Sequence, residues 1–86
     1  MKLVNQEIDM ISWTSKEGIV TPVRFRIQEK DESIVIKVGR ILHMEQISFG
    51  GTPTLQYRCS SMINGIEKVF ELSCNCGNQK WRLTKI

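Results

Sequence analysis

Four side chains in this chain are of the kinds that ligate metals or act as nucleophiles: Cys59, Cys74, Cys76 and the single histidine, His43. A structural zinc site needs about four such donors at tetrahedral distance, usually presented as Cys-x2-4-Cys pairs on turns. Cys74 and Cys76 stand two apart, which on a strand puts both thiols on one side about 7 Å from each other. That spacing is compatible with a metal, but it is not the spacing of a knuckle. Cys59 is expected about 13 Å further along a neighbouring strand, given roughly 3.3 Å per residue. One sheet does not easily gather all three, so Cys59 and Cys74 are read as small buried hydrophobes, with Cys76 near a turn.

Catalysis fares no better. His43 and Cys76 are a conceivable base and nucleophile, but nothing in the sequence brings them together, and no Ser-His-Asp set is present. "SFGGTP" lacks the Lys-Ser/Thr continuation of a phosphate loop and no helix follows it, so Gly50 and Gly51 are expected to form a flexible connector. Glu29, Asp31 and Glu32 cluster where a hairpin tip must stay in water. The expectation is a non-enzyme with no cofactor, no metal and no evident small-molecule substrate.

The elements around these residues are short. With 86 residues the chain forms one domain, 1–86, which buries only about 60–65% of its unfolded surface. Apolar residues make up 41% and charged residues 24%, the balance of a globular protein and not of a disordered one. No apolar run approaches the roughly 20 residues of a membrane span, and "MKLVNQEIDM" has no signal-peptide core. Three irregularly spaced cysteines do not make a secreted disulfide framework. A cytoplasmic protein without membrane contact is therefore expected.

The segments "IDMISWTS", "IVTPVRFRI", "SIVIKVGRIL", "TLQYRCSSMI", "IEKVFELSC" and "KWRLTKI" mostly alternate in hydrophobicity and are rich in β-branched and aromatic residues. They predict an all-β fold: a small antiparallel meander of about six strands, closing partly into a barrel or bending strongly, as in SH3-like domains. Only "GRILHMEQI" fits a short helix equally well, and Gly39 reads as a bulge or bend in a long strand.

Turn chemistry sets the register. Asn64-Gly65 is a type I′ signal, since both central residues of that turn need positive φ. It predicts Ile63 opposite Ile66, Cys59 opposite Phe70, Tyr57 opposite Leu72 and Leu55 opposite Cys74, with Arg58 meeting Glu71 and Ser60 meeting Val69 on the other face. A two-residue turn at Gly77-Asn78 continues the apolar face, placing Cys74 opposite Trp81 and Leu72 opposite Leu83. The two turns agree on which side is inward, and a one-residue slip would invert every side chain.

Gly18 predicts a further hairpin, of two to four loop residues. A turn at Asp31-Glu32 pairs Ile27 with Ile36 and Phe25 with Val38, with Val23 also inside. Pro22 suits an edge or a strand end. The predicted core is Phe25, Ile27, Ile36, Val38, Tyr57, Cys59, Phe70, Leu72, Cys74, Trp81 and Leu83.

What remains is the outer surface. Arg24 and Arg26 alternate on one strand, Lys37 lies across the hairpin and Arg40 just past the bend. Small barrels use such basic faces, together with exposed aromatics, to hold nucleic acid through phosphate contacts and base stacking; Trp13 and Phe49 are candidate stacking groups. The net charge of +3 permits an anionic partner without requiring one. The expectation is a binding module that contacts nucleic acid or a nucleic-acid-associated partner through Arg24, Arg26, Lys37 and Arg40; the alternative is a protein adaptor or homodimer, in which "KLVN" and "KWRLTKI" act as open strand edges for a second copy or a client peptide.

"IDMISW", "PVRFRI", the Cys-x-Ser before the Asn-Gly turn, "INGIEKVFEL" and "KWRLTKI" together resemble a group of short proteins of Gram-positive, spore-forming bacteria, and the likeness extends over most of the chain. It implies a bacterial source and brings no activity. "TPVRFRI" with "IVIKVGRIL" also resembles, over under a third of the chain, small bacterial proteins associated with translesion DNA polymerases, and that likeness implies a nucleic-acid setting.

Overall fold

The computed structural model describes residues 1–86, the side chain of Phe49 excepted. Seven strands follow one another in antiparallel fashion: β1 (Leu3–Thr14), β2 (Val20–Glu29), β3 (Glu32–Lys37), β4 (Arg40–Phe49), β5 (Thr52–Ile63), β6 (Ile66–Asn75) and β7 (Trp81–Lys85). They form one sheet in the order β3-β2-β1-β7-β6-β5-β4. No helix is present, and the sheet is not closed. Residues 40–47 are strand, which decides the one ambiguous segment.

The expected count of about six becomes seven because Gly39 is a corner and not a bulge. The run "SIVIKVGRIL" breaks there into β3, which pairs with β2, and β4, which pairs with β5 at the other end of the sheet. Gly39 N donates to the Ser60 carbonyl at 3.0 Å, and the Ser61 hydroxyl donates to the Lys37 carbonyl, so the corner is stitched onto β5. A Cβ at Gly39 would meet the Ser60 oxygen at 3.0 Å, which explains why glycine occupies this close approach.

The β5–β6 hairpin adopts the predicted register pair for pair, with Asn64 and Gly65 both at positive φ. Cys74 opposite Trp81 and Leu72 opposite Leu83 are also found, but by another turn. The loop spans Cys76 to Gln79; Asn75 Oδ1 accepts from the amides of Gly77 (2.8 Å) and Asn78 (3.3 Å), and Gln79 takes the positive φ. Widening a turn symmetrically by one residue on each side leaves the register unchanged. The first hairpin has three loop residues, Lys16 to Gly18: Ser15 N donates to the Ile19 carbonyl and Gly18 sits at φ 85. Gly50 and Gly51 also form a two-residue turn with both φ positive, so this pair is a tight reversal and not a flexible connector.

Two expectations in the first half are corrected. The β2–β3 turn lies at Lys30-Asp31, one residue earlier than predicted, and pairs Phe25 with Ile36 and Ile27 with Ile34. Moving the turn centre by one shifts the partner by two, so each side chain keeps its face while Ile34 joins the interior. Val23 is not inside. Ile11 pairs with Arg24 and Ser12 with Pro22, leaving Val23 as the extra residue of a bulge; Pro22 takes the inward place and is buried.

Ten apolar side chains form the core: Phe25, Ile27, Ile36, Tyr57, Cys59, Phe70, Leu72, Cys74, Trp81 and Leu83. All ten were expected, whereas Val38 is only partly buried at its margin. Phe25 tilts against Phe70 and Tyr57 stacks on Trp81, each with centroids 5.5 Å apart, so both halves of the sheet contribute to one interior.

The chain's first and last strands are not edges. β7 lies between β1 and β6, and Lys2 and Ile86 exchange two backbone hydrogen bonds. The edges of the sheet are β3 and β4.

Candidate binding face

The outer face of β1, β2 and β3 follows from the register as a grid. Asp9, Arg26 and Val35 form one row; Ile11, Arg24 and Lys37 form the next; Trp13 and Thr21 stand beyond the bulge that turns Val23 outward. Each row is one residue per strand, so neighbours within it lie about 5 Å apart.

Charge on this grid is uneven. Arg26 donates to Asp9 Oδ2 through both Nε (3.0 Å) and Nη2 (2.8 Å), which neutralises that row at its β1 side. Arg24 and Lys37, directly opposite each other, have no carboxylate partner among the described residues. Two like charges facing each other across a ladder are unfavourable, and a bound anionic group would relieve that. Arg40 does not join them: it lies past the Gly39 corner on β4, opposite Ser60, in the other half of the sheet. Of the four expected cations, the ladder brings together Arg24, Arg26 and Lys37, and one of these is already paired. Trp13 reaches the face; the other proposed stacking group, the Phe49 side chain, lies outside the described residues.

Trp13 is exposed, as a stacking group must be, but sequence reasoning missed the other apolar residues of this face: Ile11 is 54% exposed, Val35 58% and Val23 39%. A shallow groove of 390 Å³ runs between Ile11, Arg24, Arg26 and Val35. The signal was present in the broken alternation: "MIS" and "IVI" each put an apolar residue where a half-buried strand should show a polar one. Val23 carried no such signal, because a bulge reverses facing without changing composition.

The residues that could have held a metal are dispersed. Cys59 and Cys74 point into the core, Cys76 is exposed in the β6–β7 loop, and all three are free thiols. His43 faces outward opposite Arg58, with Nε2 3.9 Å from Glu45. Among the described residues no three His, Cys, Asp or Glu side chains converge on a metal geometry. Burial pushes the Cys59 thiol up to about 11, and burial followed by the nearby Cys76 thiol raises Cys74. Both are held in the unreactive protonated form at neutral pH.

The other half-sheet carries a matched charge cluster on its outer face, while Leu42, Met62, Ile66 and Val69 are also exposed in that half. Glu71, nearly buried, accepts from Arg58 Nη2 at 2.9 Å and lies 3.8 Å from Lys85 Nζ, so the expected Arg58–Glu71 pair forms and gains a second cation. A buried carboxylate flanked in this way has its charge compensated within the protein. No helix of the chain is long and apolar enough to cross a membrane. Comparison with known proteins finds no matching family model, no matching curated protein and no matching solved structure.

Proposed function

We propose that the protein is a non-catalytic binding module of the small, SH3-like barrel kind, which docks a protein partner on the outer face of β1, β2 and β3. One observation carries this reading: Trp13, Ile11, Val23 and Val35 stand exposed around the uncompensated pair Arg24 and Lys37. Trp and Arg dominate the energetic centres of protein interfaces, and a cluster of exposed apolar side chains ringed by charge marks an interaction surface. The partner's chemistry follows: an apolar pocket or ridge for Trp13, bordered by carboxylates for the two cations. The same reading places the module in the cytoplasm, where its three thiols stay reduced.

Nucleic acid is the second reading, supported by the two unpaired cations in register beside an exposed indole. It ranks lower because phosphate binding draws on many cations, and Arg26 and Arg40 do not contribute to the cluster. Edge pairing with a second copy or a client strand now falls to β3 and β4.

A photo-crosslinking residue in place of Trp13 tests the choice, with Lys68 on β6 as control position. The expected result is a discrete protein adduct from position 13, absent from 68 and lost with Arg24→Glu plus Lys37→Glu. Absence of an adduct, together with salt-sensitive binding of a single-stranded oligonucleotide that Arg24→Ala and Lys37→Ala abolish, would overturn the protein reading in favour of nucleic acid.

A further inference from the structure

β1 is shared between two sets of partners. Up to Ile8, which pairs with Trp81, it lies against β7; from Asp9, which pairs with Arg26, it lies against β2. β7 begins at Trp81, so beyond this point nothing continues the ladder on that side of β1. The β1–β2 arm and the β6–β7 loop diverge from there, and a cleft of 860 Å³ opens between them.

The cleft reaches the core. Ile8, Met10, Val20 and Leu55, partly buried and packed on the core, line it with the Trp81 ring. Its rim is polar and its charges are mostly matched: Asp9 is held by Arg26 at 2.8 Å and Glu7 by Arg82 at 3.3 Å. Lys80 is the exception. Its amide donates to Asn78 Oδ1 and its carbonyl accepts from Asn75 N, each at 2.9 Å, which fixes the backbone. Its ammonium has no carboxylate partner among the described residues. The result is a recess with an apolar floor and a polar rim, and one uncompensated positive charge on an exposed side chain at its mouth. Ligand sites commonly fall between about 300 and 1,000 Å³ and combine apolar walls with a few polar groups that set orientation.

We propose that this cleft binds an amphiphilic anion, a molecule with an apolar chain or ring and a single carboxylate head. The apolar body lies over Met10, Leu55 and Trp81, and the head is paired with Lys80. This site borders the face proposed above, with Asp9 and Arg26 common to both, but the proposal does not depend on that face.

Decanoate is a suitable probe and 1-decanol its uncharged match. In a Trp13→Phe background Trp81 is the sole indole, and its emission should change saturably with decanoate. Amide shifts should be largest at Gln79, Lys80 and Trp81, and small at Ile11 and Val35. Lys80→Gln, a surface change, should weaken decanoate about tenfold, the scale of one charge-assisted hydrogen bond, and leave decanol within about twofold. No saturation up to about 1 mM, a range that would already detect binding of only about 4 kcal/mol, overturns the proposal. So does an equal loss for both probes, or a shift pattern centred on Ile11 and Val35.

Discussion

Tyr57 carries its ring into the core and its hydroxyl to the Val20 carbonyl on β2, 2.5 Å away. The two residues are 37 apart in sequence, so this bond joins the Ser61–Lys37 and Phe25–Phe70 contacts in tying the two halves of the bent sheet together. Tyr57→Phe keeps the ring and strands the carbonyl, and should cost about 1–2 kcal/mol in urea unfolding. Tyr57 and Cys59 also predict a pH dependence. Burial raises Cys59 from 9.0 to about 11; burial first, and then the neighbouring thiols, raises Tyr57 from 10.0 to about 12. Each group therefore releases its proton more readily when unfolded. Their contribution to stability is complete below pH 9 and is lost as pH rises through the folded values. Urea midpoints measured between pH 8 and 11 should fall, and Cys59→Ala should flatten part of that fall although it lowers stability throughout. The same burial predicts that native protein treated with iodoacetamide near neutral pH is alkylated first at the exposed Cys76, with Cys59 and Cys74 following only on unfolding.

Strands and turns were legible in the sequence to different degrees, for identifiable reasons. Asn64-Gly65 announces its conformation and sits between two strongly alternating runs, so the β5–β6 register followed residue by residue. Lys30 gives no such signal: a lysine at φ 51 adopts a conformation that its Cβ disfavours by about 1–2 kcal/mol, and no propensity rule places a turn there. Lys30→Gly should accordingly raise stability, by about 1 kcal/mol in thermal or urea melts, since relief of strain outweighs the added freedom of the unfolded chain. Gly39 was recognised as special, but its role as a corner depends on Ser60 and Ser61, which lie on a strand about twenty residues away; local reading cannot see such a contact. Gly39→Ala should destabilise by about 1–3 kcal/mol, because the new methyl meets backbone and not a mobile side chain. The bulges at Val23 and Leu42 were likewise invisible; the one at Val23 accounts for the side chain misplaced in the interior and for one of the three apolar residues missed on the binding face.

At the scale of the molecule, one interior is built from a sheet that bends back on itself without joining edge to edge. The core was readable because alternation sums over many residues and tolerates a local error of two positions. The candidate face was only half readable: cations announce themselves by type, whereas Ile11 and Val35 show only as breaks in alternation and Val23 looks like core until the bulge turns it outward. The cleft beside Trp81 had no sequence signature at all, since it exists only where β1 changes partners. Lys2 and Ile86 are bonded to each other through their backbones, so a linker of about three to five glycines spans the gap, and the covalent opening can be moved elsewhere. Gly50-Gly51, whose positions are open to solvent, is a suitable place for new ends, because few tertiary contacts cross an exposed hairpin tip. A circularly permuted chain beginning at Gly51 should reproduce the amide spectrum of the parent away from the new ends and the closed seam.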